Sequence, residues 1–281
     1  MKQTAFAAAL LAAGIVTSLG TVASADAPAW VERRVVPDSK IAGSLDLGFG
    51  LGSNVRREGP NDIRYTGVGW NIEGAISFLR RIEIGLRVGL RAPNPGGEIA
   101  QADSFARPFD RNSLYGAGYG LDTFSNPELR VRGKLVDTGG FELALEGRIV
   151  APFAQPHYFY HYFGVPMAFH AGIFRADIQP GIGLGFSNPL FFVLSVPVNL
   201  WFQVTRKVFL GPLTGVRVYD RDYYNGLPGG GPFDIMLGFG VGVSFTPWFD
   251  LKSQFLFERI NGGAQWFGAG VAAGFNFGKG Y

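Results

Sequence analysis

The stretch Ile82 to Arg91 reads IEIGLRVGLR, with Ile82, Ile84, Leu86, Val88 and Leu90 on one side of an extended chain and Glu83, Gly85, Arg87, Gly89 and Arg91 on the other. An unbroken period of two marks a strand with two chemically different faces. The alternation recurs at 41–51, 68–78, 129–135, 141–149, 176–186, 194–204, 208–218, 235–245 and 267–277, and more weakly at 163–169 and 251–257, which makes twelve segments in all. A chain so patterned must build a sheet and find a solvent for each of its faces.

The second face decides which solvent the first one meets. Water-facing strands favour Thr, Lys and Glu and avoid runs of Gly, which weaken a strand. Here the second face is repeatedly Gly, as in Gly48, Gly50 and Gly52, Gly181, Gly183 and Gly185, or Gly238, Gly240 and Gly242. The chain holds 42 glycines in 281 residues without a Gly-X-Y period, so they are not collagen-like. Small residues suit the crowded inner wall of a closed barrel. The apolar face carries almost no charge over the height of a membrane barrel's lipid band, ~25 Å. Short links at 79–81, 137–140, 171–173, 205–207 and 246–248 alternate with longer ones at 54–63, 93–114, 151–162 and 220–232, while 187–189 and 261–264 would be short outer links. Short turns on one side and longer loops on the other is the layout of transmembrane barrels. The expected fold is therefore all-β: a closed antiparallel transmembrane β-barrel in up-and-down order, with about 12 strands and 10 or 14 as alternatives.

Lys2, an apolar run from Ala5 to Val16 and the small-x-small pattern Ala23-Ser24-Ala25 predict a signal peptide over residues 1–25, cleaved near Ala25. Residues 26–39 follow as a short periplasmic segment, and residues 40–281 form the barrel. The hydrophobic stretch is too short to span a bilayer as a helix, which takes about 20 apolar residues.

With its signal peptide, its alternating strands and the aromatic C-terminal residues Phe275, Phe277 and Tyr281, the chain resembles the bacterial outer-membrane β-barrel superfamily. The resemblance covers nearly all of the mature sequence. It implies an integral outer-membrane location, contact with outer-membrane lipid, and recognition of the aromatic C-terminus by the barrel-assembly machinery; Lys279 interrupts that aromatic series.

By parity the lumen receives Glu73, Arg87, Arg91, Arg130, Arg132, Lys134, Glu142, Glu146, Arg148, Arg175, Asp177, Lys252 and Glu258, together with Asp46, Glu83, Glu128, Arg217 and Asp250. Closing the turn at 79–81 with Phe78 opposite Ile82 sets Glu73 across from Arg87. A three-residue turn at 137–139 would set Lys134 against Glu142, Arg130 against Glu146 and Glu128 against Arg148. A shift by two residues would retain only Arg132 against Glu146, so charge pairing favours the first register. The balanced signs argue against a strongly ion-selective pore.

Catalytic and cofactor chemistry finds little support. There is no cysteine, which excludes disulfides, thiolate metal sites and Cys nucleophiles. A net charge of +3 is too small for a nucleic-acid footprint. His157 and His161 lie in an aromatic run, HYFYHYF, that suits the headgroup boundary better than a metal site. His170 reads as a polar lumen residue, and no outward Ser accompanies the outer histidines as a lipase would need. GFGLG and GIGLG alternate with apolar residues and lack a Walker lysine, and Asp220 and Asp222 do not keep calcium-loop spacing. The expected function is a narrow passive pore for small polar solutes, non-enzymatic and without cofactor or metal. The alternative is a barrel plugged by its own side chains that acts in structure or surface recognition through the loops at 93–114 and 220–232.

Overall fold

The computed structural model describes residues 33–58, 61–92, 127–151, 159–186, 191–219, 233–257, 260 and 267–278. The expected signal peptide, the loops expected at 93–114 and 220–232, His157, Glu258 and Tyr281 lie outside these residues. Among them run fourteen antiparallel strands: β1 (Ile41–Glu58), β2 (Asn61–Phe78), β3 (Ile82–Ala92), β4 (Glu128–Asp137), β5 (Phe141–Val150), β6 (Phe159–Gly164), β7 (Met167–Ala171), β8 (Phe174–Ile178), β9 (Gly181–Phe186), β10 (Phe191–Gln203), β11 (Val208–Tyr219), β12 (Phe233–Thr246), β13 (Phe249–Phe257) and β14 (Phe267–Phe277). They form a closed twelve-stave barrel, because β6 with β7 and β8 with β9 are each one stave interrupted by a proline. Each of the two staves pairs along its length with the same neighbours: β5 meets both β6 and β7, and β10 meets both β8 and β9.

Pro166 and Pro180 cause the breaks, since neither has an N–H to give to the ladder. The wall stays sealed there because the Ala144 N–H donates to the Pro166 carbonyl at 2.9 Å and the Val165 N–H to the Pro180 carbonyl at 2.8 Å. Closure comes from β1 against β14, where Leu45 faces Phe275 and Phe49 faces Val271. At the rim the Phe277 ring lies on Gly43, where a Cβ would fall 2.2 Å from it.

The two-residue alternation holds along the staves except at irregularities in β4 and β12. Leu45, Leu47, Phe49 and Leu51 of β1, Trp70, Ile72 and Ile76 of β2, and Ile84 and Leu86 of β3 are all exposed on the outside, as are Phe239 and Val271 on the far wall. This continuous apolar belt is a surface for hydrocarbon, since so large an exposed apolar area does not persist on a protein surrounded by water.

Three expectations need correction. Residues 54–58 and 61–63 are not loop: β1 and β2 stay paired there, with Val55 opposite Arg64 and Arg57 opposite Asp62. Residues 159–162, expected within the link at 151–162, instead open β6. The register of β4 and β5 is also not the charge-matched one. Arg132 faces Glu146, Arg130 faces Arg148 and Lys134 faces Ala144, with an irregularity between Lys134 and Val136 that absorbs an extra residue. Lys134 instead bonds Asp137 at 3.1 Å, three residues along its own chain. By contrast Phe78 faces Ile82 and Glu73 faces Arg87. That hairpin turns through Leu79 and Arg80, both at positive φ (57° and 60°), a conformation supported by their N–H groups, which donate to the Lys40 and Ser39 carbonyls.

Candidate functional site

The inward face carries a dense ladder of charge from β3 to β8, and a mixture of polar side chains and one apolar cluster from β10 to β13. Glu83, Arg87, Glu128, Glu142, Glu146, Arg148, Arg175 and Asp177 all point inward and are buried. Glu146 accepts from Arg132, from the Arg148 Nε at 2.7 Å and from the Gln179 amide at 2.7 Å. Arg130 bridges outward from this centre, at 2.7 Å from Glu73 and 3.0 Å from Glu83. Glu83 also receives the Ser77 hydroxyl at 3.2 Å and Arg132 at 3.3 Å. Arg148 continues to Glu128 at 3.3 Å and lies 5.4 Å from the centre of the Tyr162 ring. Arg87 lies 3.7 Å from Glu128. On the next staves Arg175 donates to Asp177 at 2.9 Å, and Asp177 accepts the Trp201 indole N–H at 3.1 Å. Lys252 meets Asp46 at 2.6 Å across the seam of closure. Buried charges survive when paired and hydrogen-bonded; Glu146, Arg148, Arg175 and Asp177 meet both conditions, while Arg87 pairs with Glu128 beyond hydrogen-bond distance.

The facing wall buries polar side chains as well, among them Asn199, Arg217, Asp234 and Gln254, around one apolar cluster. Trp201, Phe209 and Leu213 form a buried cluster with Leu256 packed on it, and the Trp201 and Phe209 rings meet edge to face at 5.9 Å. The inward glycines are seats for such side chains. A Cβ at Gly242 would fall 2.1 Å from the Phe209 ring, one at Gly181 would fall 2.0 Å from the Tyr162 hydroxyl, and one at Gly85 would fall 3.2 Å from the Arg130 guanidinium.

Residues ahead of β1 complete the site. Arg33 pairs with Asp250 on β13 and reaches the Ser244 hydroxyl at 3.5 Å, while Arg175 donates to its carbonyl. The Val35 N–H and the Arg34 guanidinium bind Glu142 on β5 at 2.8 and 3.2 Å, and Arg132 donates to the Val35 carbonyl at 3.1 Å. Val35 and Val36 pack on Ala144 and Ala168. In the strand order β5 and β13 stand six staves apart by either route around the ring. The segment Arg33–Val36 therefore crosses the bore from wall to wall at the end that carries the short turns.

No family model matches the sequence, and no curated protein matches it. Solved structures do match in fold. The COG4313 outer membrane channel from Pseudomonas putida F1 superposes with a TM-score of 0.54 at 11% identity, over 92% of this chain and 100% of that one. NanC porin gives 0.55 at 8% identity, over 84% and 99%, and KdgM porin 0.52 at 6%, over 83% and 99%. The chain has the outer-membrane β-barrel fold. At such identities the likeness is one of fold, and the lumen of this outer-membrane barrel has to be read from its own side chains.

Of the residues singled out from the sequence, Glu73, Arg130, Arg132, Glu146 and Arg148 join one network with Glu83 and Glu128, and Arg175 and Asp177 form a second pair beside it. Glu142 belongs to the crossing segment and to His170, whose Nε2 lies 2.8 Å away. Lys134 stands at the rim with Asp137, and Arg91 lies on β3 opposite Gly69. Arg33 and Arg34 were missed. Their only sequence signal is an Arg-Arg pair just before the first strand, which reads equally well as a solvated linker.

Proposed function

We propose that the chain is an integral outer-membrane channel that passes small polar solutes through its lumen, without catalysis or a cofactor, with outer-membrane lipid on its outer face. The observation carrying this reading is the mid-lumen charge that keeps access to solvent. The side chains of Asp46, Glu73, Arg130, Arg132 and Lys252 are 29%, 15%, 13%, 11% and 11% exposed, against 0–3% for Glu146, Arg148 and Arg175. These partly open groups mark the path along which a solute would meet alternating charge, and a narrow low-dielectric lumen strengthens each contact. The porin and channel folds superposed above support the same reading.

The barred mouth and the dry cluster around Trp201 favour a second reading, a plugged barrel that works through its outer loops. Conductance across planar bilayers separates the two. The channel reading expects discrete steps, and R130E, which turns the bridge between Glu73 and Glu83 into a third carboxylate, is expected to shift the cation-to-anion permeability ratio by roughly threefold or more toward cations. A folded barrel silent at all potentials, with and without the crossing segment, would favour the plug.

A further inference from the structure

We propose that Arg33–Val36 is a charged, tethered gate, closed in this structure and drawn out of the lumen when the periplasmic side is electrically negative. The proposal rests on the channel reading above.

Four observations carry it. The segment runs across the mouth, since its partners Asp250 and Glu142 belong to opposite walls. It is held without sheet pairing: by a buried ion pair of Arg33 with Asp250, a partly exposed one of Arg34 with Glu142, hydrogen bonds at Arg33 and Val35, and a small apolar contact of Val35 and Val36 with Ala144 and Ala168. None of its residues belongs to a strand, so release breaks no sheet ladder. Its far end is fixed, because the Ser39 and Lys40 carbonyls accept from Arg80 and Leu79 at the periplasmic turn. The segment can swing but stays attached.

Its charge sets the response. Arg33 brings one positive charge into the bore against Asp250, and Arg34 a second at its rim against Glu142 and Asp137. The other charged or titratable neighbours are Arg175 and Arg132, which bond the segment's carbonyls, and His170, which shares Glu142. Moving the segment toward the periplasm carries its guanidinium groups through part of the transmembrane field. A periplasm-negative potential therefore favours opening, and the opposite sign favours closure.

The test uses the full-length barrel in planar bilayers of known orientation. The chain has no native cysteine, so V36C/A168C places one thiol on the segment and one on the wall it packs against. V35C/A144C is a second pair should the first fail to fold, as judged by its β-sheet circular dichroism in detergent. The reduced variant is expected to open at least about tenfold more often at 100 mV periplasm-negative than at the reverse sign, given two charges crossing part of the field. Oxidation is expected to silence it and reductant to restore it. R33Q/R34Q is expected to conduct with most of that asymmetry lost. Equal opening in the oxidised and reduced forms, or opening indifferent to the sign of the voltage, would overturn the gate while leaving the channel reading intact. A folded variant lacking residues 33–36 that stays silent at every potential would overturn both.

Discussion

Replacing Glu146 with alanine is expected to lower the stability of the barrel by about 3–5 kcal/mol, the usual loss when one partner of a buried ion pair is removed. The carboxylate is buried between Arg132 and Arg148 and also receives Gln179. Its removal leaves Arg132 with Glu83 and the buried Arg148 with Glu128, each short of one carboxylate. Glutamine at this position is expected to lose less, because it keeps an acceptor for one of the three donors. Urea titration of the barrel refolded into lipid vesicles reads the difference. A loss below about 1 kcal/mol for the alanine variant would mean that water already reaches this part of the wall and that the network is far weaker than its burial implies.

The second large effect lies on the other face. L47R places a guanidinium on the outside of β1 near the middle of the apolar belt, where Leu47 is 41% exposed. There arginine on a lipid-facing strand costs ~2–4 kcal/mol, while I41R at the periplasmic rim is expected to cost ~0–1 kcal/mol. The gradient matters more than either value. On a water-facing strand both substitutions would be nearly neutral, whereas in a bilayer the cost must follow depth. The same vesicle titration measures both.

These two faces differed greatly in how far sequence could resolve them. The alternation of β3 fixed which side chains point outward, because a one-residue slip would drive Glu83, Arg87 and Arg91 into hydrocarbon. The hairpin of β2 and β3 was readable for a related reason: a tight turn between Phe78 and Ile82 leaves little freedom of register. The β4–β5 hairpin was not, because charge matching assumes that partners sit directly opposite. Arginine is long enough to ignore that rule. Arg130 bypasses Glu146 for Glu73 and Glu83 on neighbouring staves, and Arg148 reaches Glu128 diagonally, so the network tolerates the shifted register and the irregularity beyond Lys134. Pro166 and Pro180 were visible as residues, but their effect depends on lying at the same level of adjacent staves, which only the pairing reveals. The inward glycines were legible as small residues on a crowded wall. Which side chain each one seats was not, since Gly242 and Phe209 meet across two strands. The crossing segment lay furthest from view, because its partners are residues 97 to 217 positions away.

The central claim is that the alternating strands divide hydrocarbon from an aqueous lumen, and a spin-label scan tests it most directly. Single cysteines at positions 45 to 51 of β1, introduced into the cysteine-free chain and labelled in lipid vesicles, report collisions with apolar oxygen and with a polar nickel chelate. The account predicts oxygen maxima at 45, 47, 49 and 51 and chelate maxima at 46, 48 and 50, in strict opposition. Labels at 45, 47, 49 and 51 shielded from oxygen, or reached freely by the chelate, would contradict it.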